Sequence, residues 1–320
     1  MGKITVTRLR SGAYVADTLA GETDWAEWQT WLFDPAMTVE ATDEGLLIQG
    51  TTSLEKRAFT GLVSRRLYPP DAMLICEMKV PCDLTQSGTY GFVVHLCNRL
   101  VGDEVRTLQL PDNNSEITFG RMGEKLGWFH WWYDHSGVGF HKWAEEEEPR
   151  SPLGDEGQRF QTVAVEYDEP TRTTRAFLLT GGAWEQVGQD RSFRKLCSSI
   201  ELKIDAQGSG LELALVLRNC RLFPHPARTP VTVYVGKTAQ PARNAQVQLL
   251  DAGGQPLASG TTDSDGVAEL LLPVDACYPL GGGFRVESGG EVWDSAPIEP
   301  TGVEGIYPGD CYALSFQEGN

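Results

Sequence analysis

Glu201-Leu202-Lys203-Ile204 alternates charged and aliphatic side chains at period two, the pattern of a strand that buries one face and turns the other toward water. Working outward, strand-length segments recur at residues 37–40, 45–49, 61–68, 72–80, 88–96, 105–109, 116–121, 127–133, 161–166, 174–179, 198–204 and 211–223. Gly, Pro, Asp or Asn bounds each of them, and helical periodicity is nearly absent. Two sheets that hide one face each across a core about 10 Å thick satisfy this pattern. The expected fold class is therefore all-β, a jelly-roll β-sandwich followed by a smaller sandwich.

The break between the two falls at Phe223-Pro224-His225-Pro226-Ala227-Arg228-Thr229-Pro230, where closely spaced prolines fix the backbone and remove ladder donors. Beyond it, strand signals at 231–235, 245–250, 267–272, 284–287 and 311–316 alternate over a span the size of one immunoglobulin-like sandwich. Asp251-Ala252-Gly253-Gly254 and Asp263-Ser264-Asp265-Gly266 supply turn residues that accept positive φ. These signals divide the chain into a jelly roll over 1–223, a proline-rich linker over 224–230 and an immunoglobulin-like module over 231–320.

Composition narrows the function classes. A chain of 320 residues with a formal net charge of −17 repels phosphate backbones, so nucleic acid is not an expected partner. No apolar run approaches the roughly 18 residues of a membrane span, so no membrane insertion is expected. The start, Met1-Gly-Lys-Ile-Thr-Val-Thr, lacks a signal-peptide core, and a cytoplasmic location is expected unless a leader was trimmed. Seven cysteines follow no metal-knuckle or redox spacing, and several lie in apolar runs where a thiol acts as a small hydrophobe. Cys277 and Cys311 share the smaller module and would be free to pair in an oxidising compartment. The run Glu145-Glu146-Glu147-Glu148 reads as a solvated loop.

Two family resemblances rest on these segments. Trp25 to Trp31, then Val39, then Gly45-Leu46-Leu47-Ile48-Gln49-Gly50 resembles the entry of a concanavalin A-like, laminin-G-type jelly roll. Residues 159–168, 173–179 and 213–223 are similar to the back-sheet and closing strands of that fold. Residues 241–249 and 260–268, with their A-x-V-x-L strand and T-D-x-x-G turn, resemble the carboxypeptidase-regulatory or transthyretin-like immunoglobulin fold, which implies architecture and no reaction.

The densest chemistry lies in Gly127-Trp128-Phe129-His130-Trp131-Trp132-Tyr133-Asp134-His135 and on to Phe140-His141-Lys142-Trp143. On a strand, Trp128, His130 and Trp132 face one way while Phe129, Trp131 and Tyr133 face the other. Rings stack on the C–H faces of sugars while ring nitrogens bond hydroxyls, so an open aromatic face points to a carbohydrate ligand. The expected binding set is Trp128, His130, Trp132, Tyr90 and Arg121.

No E-x-D-x-E glucanase strand is present, nor any Gly-x-Ser-x-Gly elbow, phosphate loop or His-Glu-x-x-His motif. A glycoside hydrolase or polysaccharide lyase stays as the alternative. Its acid and base would come from His95, His130 or His141 with Tyr90 or Tyr133, and Arg99 or Arg121 would neutralise a uronate. A structural subunit of a larger assembly, with a protein partner docked through the C-terminal module, is the third reading. No cofactor and no metal site are expected. The one opening for a structural calcium is Asp263 and Asp265, where the distal glutamate of an EF-hand is missing.

Overall fold

The alternating segments become paired strands. In the computed structural model every described regular element is a strand apart from two short 3-10 turns, Glu156–Gln158 and Pro226–Arg228. The described residues are all except 1, 22–25, 98–112, 135–148, 153–154, 193–198, 238–239, 275, 301–304 and 317–320. The segment 105–109, the acidic run 145–148, Arg99 and His141 lie outside them.

Contacts divide the chain into one unit over Asp17–Arg221 and another formed by Met1–Ala16 with Leu222–Asn320. The first unit is a sandwich of jelly-roll type. One of its sheets runs, edge to edge, Lys125–Asp134, Asn113–Met122, Thr89–Cys97, Ser199–Gln207, Ala58–Ser64 and Trp28–Leu32. The main path of the other runs Ala183–Ser192, Thr173–Thr180, Gln161–Asp168, Ala72–Lys79, Glu212–Pro224, Gly45–Thr51 and Met37–Thr42.

Phe92, Val94, Leu96, Ile117, Phe119, Ile200, Leu202 and Ile204 line the inner face of the six-stranded sheet, all buried. Val163, Val165, Ala176 and Leu178 meet them from the opposite sheet. Each such side chain contributes about 1.5–3 kcal/mol by leaving water, which makes this layer the main source of cohesion.

The inner face is identified by its cross-sheet bonds. Thr174 Oγ1 donates to Ser115 Oγ, and His130 Nδ1 meets the Gln189 carbonyl, both reaching from one sheet to the other. Strand geometry then turns the alternate residues Val93, His95, Glu116, Thr118, Trp131, Glu201, Lys203 and Asp205 to the outer face. Two glycines serve close approach there. A Cβ at Gly91 would lie 2.6 Å from Thr118 Cγ2, and one at Gly61 would lie 2.0 Å from the Leu202 carbonyl oxygen.

The other unit is built on a nine-stranded sheet. Gly2–Arg10 lies in it, antiparallel to Cys311–Phe316 and parallel to Glu291–Ser295, with Ile4 opposite Phe316 and Val6 opposite Leu314. The N-terminal strand therefore pairs with the chain's far end rather than with the jelly roll into which residues 1–223 were grouped. Its short Ile4/Val6 alternation finds apolar partners there. Within residues 224–230, Pro226–Arg228 forms a 3-10 turn closed on a carbonyl of the same segment. Asp263 Oδ1 accepts the Asp265 and Val267 amides, so this carboxylate is committed to shaping its turn.

Candidate functional site

The aromatic strand Lys125–Asp134 alternates as its sequence implies, and its neighbour decides which side faces inward. Trp128 stands opposite Phe119 and His130 opposite Ile117, whereas Phe129 stands opposite Thr118 and Trp131 opposite Glu116. The apolar partners take Trp128 and His130 into the inter-sheet core.

Of the residues expected to bind ligand, Trp128 is 1% exposed, packs on Phe119 with ring centroids 4.6 Å apart, and donates its indole N–H to Glu156 Oε2 at 3.1 Å. Tyr90 is buried, its hydroxyl donating to the Leu84 carbonyl at 2.8 Å, and burial raises its pKa. Arg121 donates to the same carbonyl at 3.1 Å. Trp132 is half-buried on the inner side beneath the Arg191 guanidinium, 5.4 Å from its ring centroid. These side chains hold the two layers together and present no open platform. The burial signal was ambiguous because both faces of the strand carry large rings.

His130 is buried as well. Its Nδ1 lies 3.3 Å from the Gln189 carbonyl oxygen and its Nε2 lies 3.1 Å from Ser115 Oγ. Desolvation pushes its pKa down to about 4, so the ring is neutral at pH 7. Tyr133 lies on the strand backbone, with its side chain outside the described residues.

The outer face carries what the sequence reading passed over. Glu201, Lys203 and Asp205 project from the strand Ser199–Gln207, yet all three are buried. Lys203 Nζ donates to Glu201 Oε2 at 2.8 Å and sits 4.7 Å from the Phe59 ring centroid. His95 Nδ1 lies 3.0 Å from the same Glu201 oxygen, and His95 Nε2 lies 3.7 Å from Glu116 Oε2. Burial opposes the Lys203 charge, but Glu201, Glu116 and Asp205 outweigh it and hold the amine above its ordinary pKa. Arg57 binds Asp205 through two nitrogens, with Nε 3.0 Å from Oδ1. The missed signal was spacing: an acid, a base and an acid at positions 201, 203 and 205 share one strand face in mid-sheet.

Beside this cluster a cleft opens on the outer face, about 410 Å³ including the part open to solvent, lined by Arg57, Thr89, Glu116, Trp131, Asp205 and Gln207 among others. A broader groove of about 1050 Å³, again counting open solvent, lies on the other sheet of the same unit. Thr38, Glu40, Gln49, Asp83 and Glu212 line it, and its walls carry no aromatic ring. Of the two, only the cleft combines a ring with pre-paired polar groups.

No protein-family model matches the chain, and no curated protein matches it. Solved structures similar to it include the VIP36 exoplasmic/lumenal domain in its Ca2+/Man3GlcNAc-bound form, at 12% identity and a TM-score of 0.45, covering 66% of this chain and 89% of that one. The Emp47p carbohydrate recognition domain is similar at 13% identity and a TM-score of 0.46, covering 68% and 97%. Rv0315, an immunostimulatory antigen and pseudo β-1,3-glucanase of Mycobacterium tuberculosis, is similar at 10% identity and 0.44, covering 67% and 99%. Ligand and chemistry have to be argued from the cleft itself.

Proposed function

We propose that the chain recognises carbohydrate in the outer-face cleft of the six-stranded sheet. The observation that carries this reading is a cleft whose wall holds the Trp131 ring, itself only 4% exposed, beside polar groups already paired on rigid strands, Asp205 with Arg57 and Glu116 with Thr118. Such a wall supplies apolar contact to a sugar's C–H face while fixed donors and acceptors bond its hydroxyls at little entropic cost. Trp131 thus replaces Trp128 and Trp132 as the ring of the site.

The same geometry disfavours hydrolysis. Glu201 is bound by Lys203 and Asp205 by Arg57, so neither carboxylate is free to face a substrate as the proton donor that a glycosidase needs. We read the second unit as an immunoglobulin-like module completed by the N-terminal strand. Val231–Lys237 supports that reading by pairing in parallel with Cys311–Phe316 and antiparallel with Val267–Leu270.

Isothermal titration against a panel of neutral, amino and acidic oligosaccharides tests the binding site. Trp131→Ala and Asp205→Asn are each expected to weaken the best ligand at least ~10-fold, the effect of about 1.4 kcal/mol. Trp132→Ala, which alters the inner face, should leave affinity within about 2-fold. A panel with no binder, or full affinity in both outer-face variants, would reject the proposal.

A further inference from the structure

Three further features carry chemistry of their own. The Cys76 and Cys220 thiols adjoin one another in the core, but both are sealed from any oxidant. Arg8, Asp310 and Tyr312 form a buried network in which Asp310 takes the Gly12 and Tyr307 amides, and that occupies it fully as a loop clamp. The third is the cluster around His95, which shares Glu116 with the cleft and leaves one buried ring nitrogen without a hydrogen-bond partner.

His95 is fully buried. His95 Nδ1 lies 3.0 Å from Glu201 Oε2 and 3.4 Å from Lys203 Nζ, whereas Nε2 has no hydrogen-bond partner and lies 3.7 Å from Glu116 Oε2. A buried polar atom without a partner is costly and calls for an explanation. Cys97 projects from the same strand face, two residues on, and His95, Cys97 and Glu201 bring a nitrogen, a sulfur and a carboxylate oxygen within 4.8 Å of one another, all buried.

We propose that His95 Nδ1, Cys97 Sγ and Glu201 bind a divalent transition metal of the zinc class, with Glu116 as the outer-shell carboxylate. The Nδ1 to Oε2 separation of 3.0 Å suits two adjacent ligands of one ion at roughly 2.0–2.2 Å each. With the metal on Nδ1 in place of the Lys203 contact, the ring proton sits on Nε2 and points at Glu116, which makes a carboxylate–imidazole–metal relay. Cys97 releases its thiol proton to become the thiolate ligand. Charges then balance: two positive on the metal and one on Lys203 against one negative each on Cys97, Glu201 and Glu116. Sulfur and imidazole donors select zinc-like ions over calcium or magnesium. Ser199 Oγ, 3.0 Å from Cys97 Sγ, stands at the remaining side.

The test strips the full chain with a chelator and titrates it with Co2+, following absorbance, then displaces the cobalt with Zn2+. One equivalent per chain is expected, with a near-ultraviolet thiolate-to-cobalt band and visible bands of low-symmetry cobalt, both erased by zinc. Cys97→Ser should lose the thiolate band. Glu116→Gln should weaken binding about 10–100-fold while keeping the band. Absence of the band at one equivalent overturns the site, as does a band that survives in Cys97→Ser, since it would then arise from another cysteine. If Cys97→Ser does not fold, Glu116→Gln decides, and unchanged affinity there overturns the proposal.

Discussion

Lys203→Met is expected to destabilise the chain by about 3–5 kcal/mol, the loss found when one partner of a buried ion pair is removed and the other is stranded. Lys203 Nζ holds Glu201 at 2.8 Å, both side chains are buried, and the ammonium is further held by the Phe59 and Trp31 rings at 4.7 and 5.9 Å. Methionine fills similar space but leaves the Glu201 carboxylate without its cation. Pairing Lys203→Met with Glu201→Gln should cost less than the sum of the two single changes, because the stranded charge is gone. Denaturant unfolding of the four proteins measures both quantities. A single Lys203→Met variant within about 1 kcal/mol of the parent would show that the pair is hydrated, contrary to its burial.

The expense of this cluster bears on what it is for. Apolar residues of equal volume would make the same sheet at least as stable, since desolvating the charges offsets most of their attraction. The neighbouring outer-face positions show the cheaper solution, with Val63 and Val93 buried on the same side of the sheet. Keeping His95, Glu116, Glu201 and Lys203 together is therefore more readily explained by binding than by folding, whether the ligand is a sugar in the adjoining cleft or a metal among the side chains themselves.

Much of the sandwich was legible because period-two alternation marks strands. Ser199–Gln207, Ala72–Lys79 and Gln161–Asp168 form where the alternation falls, although Ser199–Gln207 is buried on both faces up to its last residue. Gly2–Arg10 was not legible, since its partners Glu291–Ser295 and Cys311–Phe316 lie about 300 residues away and no local signal marks such a pairing. The choice of face on the aromatic strand failed for a different reason. Trp128-Phe129-His130-Trp131-Trp132 is bulky on both sides, so its own pattern cannot orient it. The orienting information sits in the next strand, where Ile117 and Phe119 are apolar while Glu116 and Thr118 are polar. Reading the hairpin as a pair, across the turn at Gly123-Glu124, would have placed Trp131 outward. Glu201 and Lys203 were read as a wet face because charge in a strand usually means exposure, and their mutual pairing is a tertiary fact.

The second large effect concerns pH. His130 is held neutral between the sheets with a pKa of about 4, against an ordinary value of 6.5, chiefly because burial penalises its charged form and Arg191 adds a repulsive charge. The unfolded chain protonates this ring below pH 6.5 while the folded chain resists until about pH 4, so the unfolded state gains protons, and stability, across that window. Folding is therefore expected to lose about 3 kcal/mol from this one group as pH falls from 7 to 4, at about 1.4 kcal/mol for each pH unit of displacement. Other groups titrate in the same range, and the −17 charge relaxes on acidification, so the parent curve alone does not isolate the effect. His130→Asn keeps an N–H for the Gln189 carbonyl and has no proton to gain. The difference between the two proteins in denaturant-unfolding free energy should shift by about 3 kcal/mol in favour of the variant between pH 7 and pH 4. Parallel curves would mean that water reaches the ring, and that the seam between Ser115 and Gln189 is open where the structure closes it.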